Sequence, residues 1–229
     1  MARRPRFMLP GVAQHVIQRG NNREPCFFSS EDYLTYLSIL NESSMQYGCQ
    51  VHAYVLMTNH IHLLLTPIRP ESLSRMMQSL GRRYVHTINH NYARTGTLWE
   101  GRYKASLVQT EHYLLTCYRY IELNPVRAHM VNAPSEYRWS SYHANAYAKD
   151  DKVITPHHEY LGLGQTSEVR CEAYRELFRH HINNDMIHGI RDAINQELVV
   201  GNDQFKDNIE KTLKRSTRRK QAGRPRDVY

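Results

Sequence analysis

The chain has 229 residues, 41% of them hydrophobic, and a formal net charge of +8 at pH 7. This length accommodates one full domain and a smaller appendage, and no apolar stretch reaches transmembrane length. The basic N-terminus has no apolar run behind it, so we expect no signal peptide. The four cysteines are scattered without a Cys-x-x-Cys pair, which argues against a zinc ribbon or a disulfide framework and favours a reducing compartment.

The apolar periodicity predicts alternating strands and helices in the first half of the chain. In chain order they are a strand over 12–19, a helix over 31–47, strands over 50–57 and 60–66, a helix over 71–91, a strand over 103–109 and a helix over 111–123. Ser29 or Ser30 can cap the start of the first helix, and Gly48 follows its end. This order is typical of an α+β protein with a ferredoxin-like or RRM-like antiparallel sheet.

Two histidines, His60 and His62, lie two positions apart in an apolar strand. Side chains alternate between the faces of a strand, so both imidazoles point the same way, roughly 7 Å apart at Cβ. Imidazole is the commonest metal ligand of proteins and suits divalent metals. The pair is therefore either a metal site or two separately satisfied polar groups, and the spacing alone favours neither.

A second candidate segment lies about 55 residues further on, where Tyr120 and Asn124 share one face of the predicted helix. Pro125 ends or kinks that helix. A phenol and a carboxamide oxygen placed against two imidazoles would supply a nucleophile and a third metal ligand. By spacing alone, packing of Tyr120 and capping by Asn124 is the commoner arrangement, and Tyr113 lies on nearly the same face.

Several segments together resemble the single-tyrosine HUH transposases, where U is a bulky apolar residue between two histidines. The matching segments are His15–Asn21, His52–His60, His60–His62, Thr95–Tyr103, Tyr120–Arg127 and Trp139–Tyr142. Within that group the chain is most similar to the REP-associated tyrosine transposases, over about residues 3–145. The triplet alone is weakly specific, whereas its order and spacing with the Arg-Gly-Asn and Tyr-x-x-x-Asn-Pro segments are strongly specific.

This resemblance implies a function and a set of site residues. Tyr120 is implied as the nucleophile, and His60, His62 and Asn124 as ligands of Mg²⁺ or Mn²⁺. The implied reaction cleaves and rejoins single-stranded DNA at hairpin-forming repetitive extragenic palindromes through a 5′-phosphotyrosine. The implied fold places the HUH strand centrally, with the tyrosine helix across it. The base that activates Tyr120 is not identified; Glu122 and His112 are near it in sequence.

The candidate DNA contacts are mostly basic residues. They are Arg3, Arg4, Arg6, Arg19, Asn21, Arg82, Arg83, Arg102, Lys104, Arg127, Arg218, Arg219, Lys220, Arg224 and Arg226. Residues 211–229 hold nearly all of the net positive charge, and such tails attract polyanions. Gly223–Arg226 resembles the core of an AT-hook, whose arginines enter a narrow minor groove. A solvated, disordered tail is an equally common use of this composition.

The composition changes near residue 146, which predicts four parts. They are a single-tyrosine HUH domain over 1–148, a linker over 149–166, a helical C-terminal subdomain over 167–213 and a basic tail over 214–229. The subdomain has helical patterns over 168–182, 185–198 and 203–213. It is either a small DNA-reading helical module or a region that docks on the first domain.

Three alternatives remain. A rolling-circle initiator or relaxase is disfavoured by the single candidate tyrosine and the lack of a helicase part. A non-catalytic RRM-like DNA-binding module would not need the two histidines, the tyrosine and the asparagine together. A transcriptional regulator would read DNA with its basic C-terminal region. We expect single-stranded or hairpin DNA as partner, no membrane, a monomer or homodimer, and a cytoplasmic, nucleoid-associated location.

Overall fold

The computed structural model describes residues 6–218, and the predicted order of elements is confirmed there. The elements are β1 (Gln14–Arg19), α1 (Ser30–Tyr47), β2 (Cys49–Met57), β3 (His60–Pro67), α2 (Ser72–Asn91), β4 (Lys104–Val108), α3 (Thr110–Glu122), α4 (Asn124–Arg127), α5 (Tyr142–Tyr147), α6 (His158–Leu161), α7 (Ser167–Leu177), α8 (Asn184–Gln196), β5 (Val199–Val200) and α9 (Asp203–Leu213). No helix in this part of the chain is long and apolar enough to cross a membrane.

The strands form a mixed sheet in the order β2-β3-β1-β4-β5. Neighbours are antiparallel except β4 and β5, which are parallel. The strand with the histidine pair, β3, lies between β2 and β1. In the β1–β3 register, Ile17 lies opposite His62 and Arg19 opposite His60. Residues directly opposite each other share a face of the sheet, so these four side chains lie on one side.

Helices cover both faces of the sheet, and the alternation along β3 shows which face holds the site. Ile61, Leu63 and Leu65 pack into the core beneath α1 and α2. Leu64 packs into the second core, beneath α3 and the C-terminal helices. Because His60 and His62 are in phase with Leu64, both histidines face α3. Each buried leucine contributes roughly 2 kcal/mol, so the core strongly disfavours a flip of this strand.

The buried carboxyl group of Glu122 holds the C-terminal end of α3 in place. It accepts hydrogen bonds from Ser141 Oγ at 2.6 Å, Asn145 Nδ2 at 2.8 Å and Tyr174 Oη at 2.7 Å. Burial raises the pKa of Glu122 to about 7, and the three hydrogen bonds oppose that rise. Glu122 therefore joins α3 to α5 and α7.

The segment 149–166, which the sequence predicts as a linker, makes contacts with β2. Thr155 donates from its backbone nitrogen to Val51 O at 2.7 Å, and its own carbonyl lies 2.7 Å from His52 Nδ1. Residues around Ile154 thus cover the free edge of β2, and α6 follows directly. These contacts join residues about a hundred positions apart, so the local composition does not indicate them. The boundaries of the predicted domains stay a prediction.

The C-terminal region also adds to the sheet. The two-residue strand β5 pairs in parallel with β4, placing Val199 beside Leu107. The predicted C-terminal helices are confirmed, although α7 ends at Leu177, five residues before the predicted end. Ile190 and Ala193 of α8 are buried in the same core as Tyr118 of α3. This region therefore packs directly on the face that carries the histidines.

We expect Glu122→Gln to change how stability depends on pH. The folded pKa of about 7 lies above the ordinary value of 4.5, so ionisation of Glu122 lowers stability progressively as pH rises between these values. The free energy of unfolding of the wild type minus that of the variant should be about 1 to 2 kcal/mol more positive at pH 5.5 than at pH 7.5. Denaturant titrations at both pH values measure this difference, and equal differences would contradict the account.

Candidate active site

The two histidines of β3 lie side by side under α3. Their ring centroids are 5.2 Å apart and the rings are nearly perpendicular, at 79°. His62 is buried, whereas His60 is partly exposed. Nδ1 of His60 lies 2.7 Å from Asn59 Oδ1, an atom that only accepts hydrogen bonds. Nδ1 of His60 therefore carries the proton, and Nε2 keeps a lone pair for a ligand.

A third imidazole, His15 of β1, contacts the pair. Its Nε2 lies 2.8 Å from Nδ1 of His62, and the two rings stack with centroids 5.0 Å apart. His15 is fully buried, and its Nδ1 has no hydrogen-bond partner. The sequence left His15 open between a neighbour of the site and a packing residue. The register of β1 against β3 places His15 opposite Leu64, on the face of the sheet that carries His62. No local sequence pattern indicates this position.

Tyr120 lies over the histidines on α3. Its ring centroid is 5.7 Å from that of His15 and 6.0 Å from that of His62, edge to face in both cases. The Arg127 guanidinium lies 4.3 Å from the centre of the Tyr120 ring and donates to the Tyr120 carbonyl at 2.5 Å. Tyr113 makes no such ring contact within the described residues. The geometry therefore favours Tyr120 of the two tyrosines.

Asn124 follows Tyr120 by one helical turn, at the break between α3 and α4 that Pro125 produces. The amide nitrogen of Asn124 is buried without a hydrogen-bond partner. Nη1 of Arg127 is also buried without one. Buried donors are normally paired, so two unpaired donors on one short helix beside Tyr120 indicate a place for an acceptor such as a phosphate.

Burial keeps the three imidazoles neutral. It lowers the pKa of His15 to about 3, and Arg127 adds to that shift. It lowers the pKa of His60 to about 4, with a smaller effect of Arg19, and that of His62 falls well below its usual value. Neutral imidazoles with free lone pairs are the form that binds metal ions.

The donor set fits a divalent cation. Within residues 6–218 there is no cluster of three or more His, Cys, Asp or Glu side chains able to hold a metal. The predicted metal ligands, His60, His62 and Asn124, do not form such a cluster, because the third ligand is an amide and not one of these four residue types. Two imidazoles and a carboxamide oxygen suit Mn²⁺, and oxygen ligands suit Mg²⁺. In this set the amide oxygen of Asn124 would bind the ion, and its unpaired nitrogen, which is a donor, would be left for an acceptor such as a phosphate.

Three of the predicted DNA contacts line one cavity. Arg19, Arg102 and Lys104 surround a cavity of about 150 Å³ together with Glu100 and Asn195. One of its lining residues, Arg19, lies opposite His60 in the sheet. Asn195 belongs to α8, so the C-terminal region forms one wall. Three cations against one carboxylate favour an anion such as a backbone phosphate.

Other predicted contacts are engaged within the protein. Arg6 donates two hydrogen bonds to Tyr103 O and lies 3.8 Å from Glu197. Arg83 pairs with Glu42 at 2.5 Å. Both arginines therefore already have partners within the protein, which the sequence alone did not indicate because the partners are distant in sequence.

Arg218 follows the same pattern at the end of the described chain. It lies within 4 Å of three carboxylates of α9: Asp207 at 2.7 Å, Glu210 at 3.3 Å and Asp203 at 3.5 Å. Its charge is thus already matched by acids of this helix.

The remaining predicted contacts divide into exposed residues and residues beyond the described chain. Asn21, in the turn after β1, and Arg82, on α2, are exposed. Outside the described residues lie Arg3, Arg4, Arg219, Lys220, Arg224, Arg226 and the AT-hook-like segment Gly223–Arg226.

The family of the chain follows from its sequence. The profile of the family described as "Transposase IS200 like" matches residues 10–124, which is half of the chain. The match includes His60, His62, Tyr120 and Asn124. The chain belongs to the IS200-like transposase family, which gives it a transposase and DNA-binding role. Among curated proteins no sequence matches it.

Two solved structures are similar to the chain. One is described as the REP-associated tyrosine transposase bound to a REP hairpin, with a TM-score of 0.56 and 16% identity, over 69% of this chain and 93% of that one. The other is a putative transposase from Deinococcus radiodurans R1, with 24% identity over 53% of this chain and 96% of that one, and a TM-score of 0.37. The first confirms the predicted α+β fold, and with the family match it confirms the predicted resemblance.

We expect Arg102→Gln to weaken binding of single-stranded DNA and to reduce its salt dependence. Removing one phosphate contact should lower the slope of log K against log salt concentration by about 0.7. Fluorescence anisotropy across a salt series measures both effects. Arg83→Gln is the matched control, since Arg83 already pairs with Glu42 away from the cavity. Equal effects of the two substitutions would contradict the assignment of the cavity.

Proposed function

We propose that the chain is a metal-dependent transposase-type enzyme that cleaves and rejoins single-stranded DNA, with Tyr120 as nucleophile. The observation that carries this proposal is the position of Tyr120, edge-on to His15 and His62 at 5.7 and 6.0 Å between centroids. In a transposase family member, this arrangement supports a role in DNA cleavage.

The proposed metal ligands are Nε2 of His60, Nε2 of His62 and the amide oxygen of Asn124. Both histidines already use Nδ1 in a hydrogen bond, so Nε2 is the nitrogen of each ring that remains for a metal. When bound, Mg²⁺ or Mn²⁺ would polarise the scissile phosphate and stabilise its developing negative charge. Either ion agrees with the donor set.

The covalent step belongs to Tyr120. Its phenolic oxygen forms a bond to phosphorus while the bond from phosphorus to the 3′ oxygen breaks. The DNA then carries a 5′-phosphotyrosine link to the protein and a free 3′-hydroxyl, with the proton on the leaving oxygen. Because the phosphoester bond energy is retained, the reverse reaction rejoins the strand without a nucleotide cofactor.

The proton of Tyr120 does not go to Glu122. That carboxyl group is buried and accepts from Ser141, Asn145 and Tyr174. Residues 120 and 122 also lie about 200° apart around the helix, on nearly opposite faces. The side chain of His112 lies outside the described part of the structure. The base that activates the phenol stays unassigned.

The arginine on the tyrosine ring has a proposed role in the same step. Arg127 fixes the ring through its guanidinium and keeps one buried nitrogen, Nη1, unpaired. We place a non-bridging oxygen of the scissile phosphate at that nitrogen. A charge-assisted hydrogen bond there would strengthen as negative charge develops on the phosphate.

The proposed substrate is single-stranded DNA with a hairpin-forming repetitive extragenic palindrome. The solved relative is bound to a REP hairpin, and its fold is shared by this chain. The cavity of Arg19, Arg102 and Lys104 would hold a phosphate that flanks the cleaved one, since Arg19 lies opposite His60 in the sheet. With such a substrate we propose that the protein acts on the chromosome in the cytoplasm, and that it works as a monomer or homodimer.

Cleavage of a labelled single-stranded hairpin with Mn²⁺ or Mg²⁺ tests the proposal. The wild type should cut the strand and form a covalent adduct with its 5′ end, and EDTA should abolish both. Tyr120→Phe should lose the adduct, because no oxygen remains to attack phosphorus. Tyr113→Phe is the matched control and should keep it. Tight binding without any adduct, in either metal, would replace the enzyme with a DNA-binding protein.

Arg127→Gln should slow the covalent step far more than it weakens DNA binding. Loss of a charge-assisted donor at the phosphate typically costs about 10²-fold to 10³-fold in rate. Single-turnover kinetics at saturating protein separate the rate of adduct formation from affinity. Arg102→Gln, in the flanking cavity, should have the opposite pattern of effects. A wild-type rate of adduct formation in Arg127→Gln would contradict this role.

A further inference from the structure

We infer that His15 is a positioning residue that accepts a hydrogen bond from Nδ1 of His62 and so keeps Nε2 of His62 free for a metal. The inference rests on the proposed function and adds a role for His15 that it does not assign. Its basis is the 2.8 Å contact between His15 Nε2 and His62 Nδ1, between two buried rings.

A neutral imidazole has one N–H and one lone pair, so the contact allows two arrangements. In the first, His62 donates from Nδ1 to His15, and Nε2 of His62 has a lone pair. In the second, His15 donates, and Nε2 of His62 carries a proton that excludes a metal. A metal on His62 therefore requires His15 to be the acceptor.

The neighbouring histidine shows the same design with a different acceptor. His60 donates from Nδ1 to Asn59 Oδ1 at 2.7 Å and keeps Nε2 free. Metal-binding histidines usually donate their second N–H to an oxygen, which orients the ring and sets its protonated nitrogen. His15 takes the place of that oxygen for His62. In the first arrangement the proton of His15 is on its Nδ1, a buried donor without a partner among the described contacts, and in the second arrangement the lone pair of Nδ1 is unpaired instead. The need for a free Nε2 on His62 is what selects the first arrangement.

The ring of His15 also packs against two other rings of the site. It stacks on His62 with an interplanar angle of 24° and meets Tyr120 edge to face. Because His15 contacts both the ligand and the nucleophile, cleavage rates alone do not separate its roles. Metal affinity in the absence of DNA does.

The first test measures Mn²⁺ binding to the full chain without DNA, by the electron paramagnetic resonance signal of free Mn²⁺. His15→Leu removes the acceptor at similar volume and should weaken binding about 10-fold to 100-fold. His15→Gln keeps an acceptor oxygen and should restore most of the affinity. Wild-type affinity in His15→Leu would overturn the inference. His62→Ala provides the reference for loss of a ligand.

The outcomes separate this inference from the proposed function. If the wild type binds Mn²⁺ through His62 and His15→Leu binds it equally well, only the role of His15 fails. If the wild type shows no binding that His62→Ala abolishes, the proposed metal site fails, and the role of His15 fails with it.

A second test needs no substitution and so stands if His15→Leu does not fold. Long-range ¹H–¹⁵N correlation spectra of the imidazoles, with saturating Mg²⁺, report which nitrogen of each ring is protonated. We expect the proton on Nδ1 of His62 and a bare Nε2 on His15. The reverse pattern in the metal-bound protein would overturn the inference.

Discussion

The candidate site depends on the antiparallel pairing of β1 with β3, which runs from Gln14–Leu65 to Arg19–His60. This register places Arg19 beside the histidine pair and brings His15 into contact with His62. A slip by one residue would turn the imidazoles towards α1 and α2 and bring buried leucines to the α3 face. The packing of both cores opposes such a slip, so the same apolar residues that stabilise the sheet also position the polar site.

The second requirement is a fixed tyrosine helix. Glu122, two residues after Tyr120, is held by three hydrogen bonds from α5, α7 and the residue before α5. A buried carboxyl group is costly unless it is well paired, so these bonds specify one position for α3. The C-terminal region therefore contributes to the site twice, through this anchor and through Asn195 in the wall of the cationic cavity.

Local patterns predicted much of the fold. The apolar periodicity located the strands and helices up to α3, and the glycine after α1 adopts the expected left-handed conformation, with a φ of 67°. The alternation of β3 placed both histidines on one face. The pattern also placed Tyr120 and Asn124 on one turn, but it left Tyr113 as an equal choice. The resemblance to the transposases selected Tyr120, and the ring contacts with His15 and His62 give a structural reason to prefer it.

What the sequence did not predict depends on contacts between distant residues. The partner of His15 follows from strand register, which no local pattern specifies. Strand β5 has two residues, too few for a periodicity. Arg6, Arg83 and Arg218 were predicted as DNA contacts because of their charge. Arg6 and Arg83 form ion pairs with acids far away in sequence, and Arg218 with acids of the preceding helix. The segment 149–166 has the composition of a linker, although it covers the edge of β2.

The central claim is that Tyr120 forms a covalent bond to the 5′ end of cleaved DNA. The most direct measurement is tandem mass spectrometry of the protein after reaction with a single-stranded hairpin and Mn²⁺, followed by nuclease and protease digestion. The account predicts a 5′-phosphonucleotide on the peptide that contains Tyr120, with fragment ions that place it on that residue. A nucleotide on Tyr113, or a cleaved strand with no modified peptide, would contradict the account.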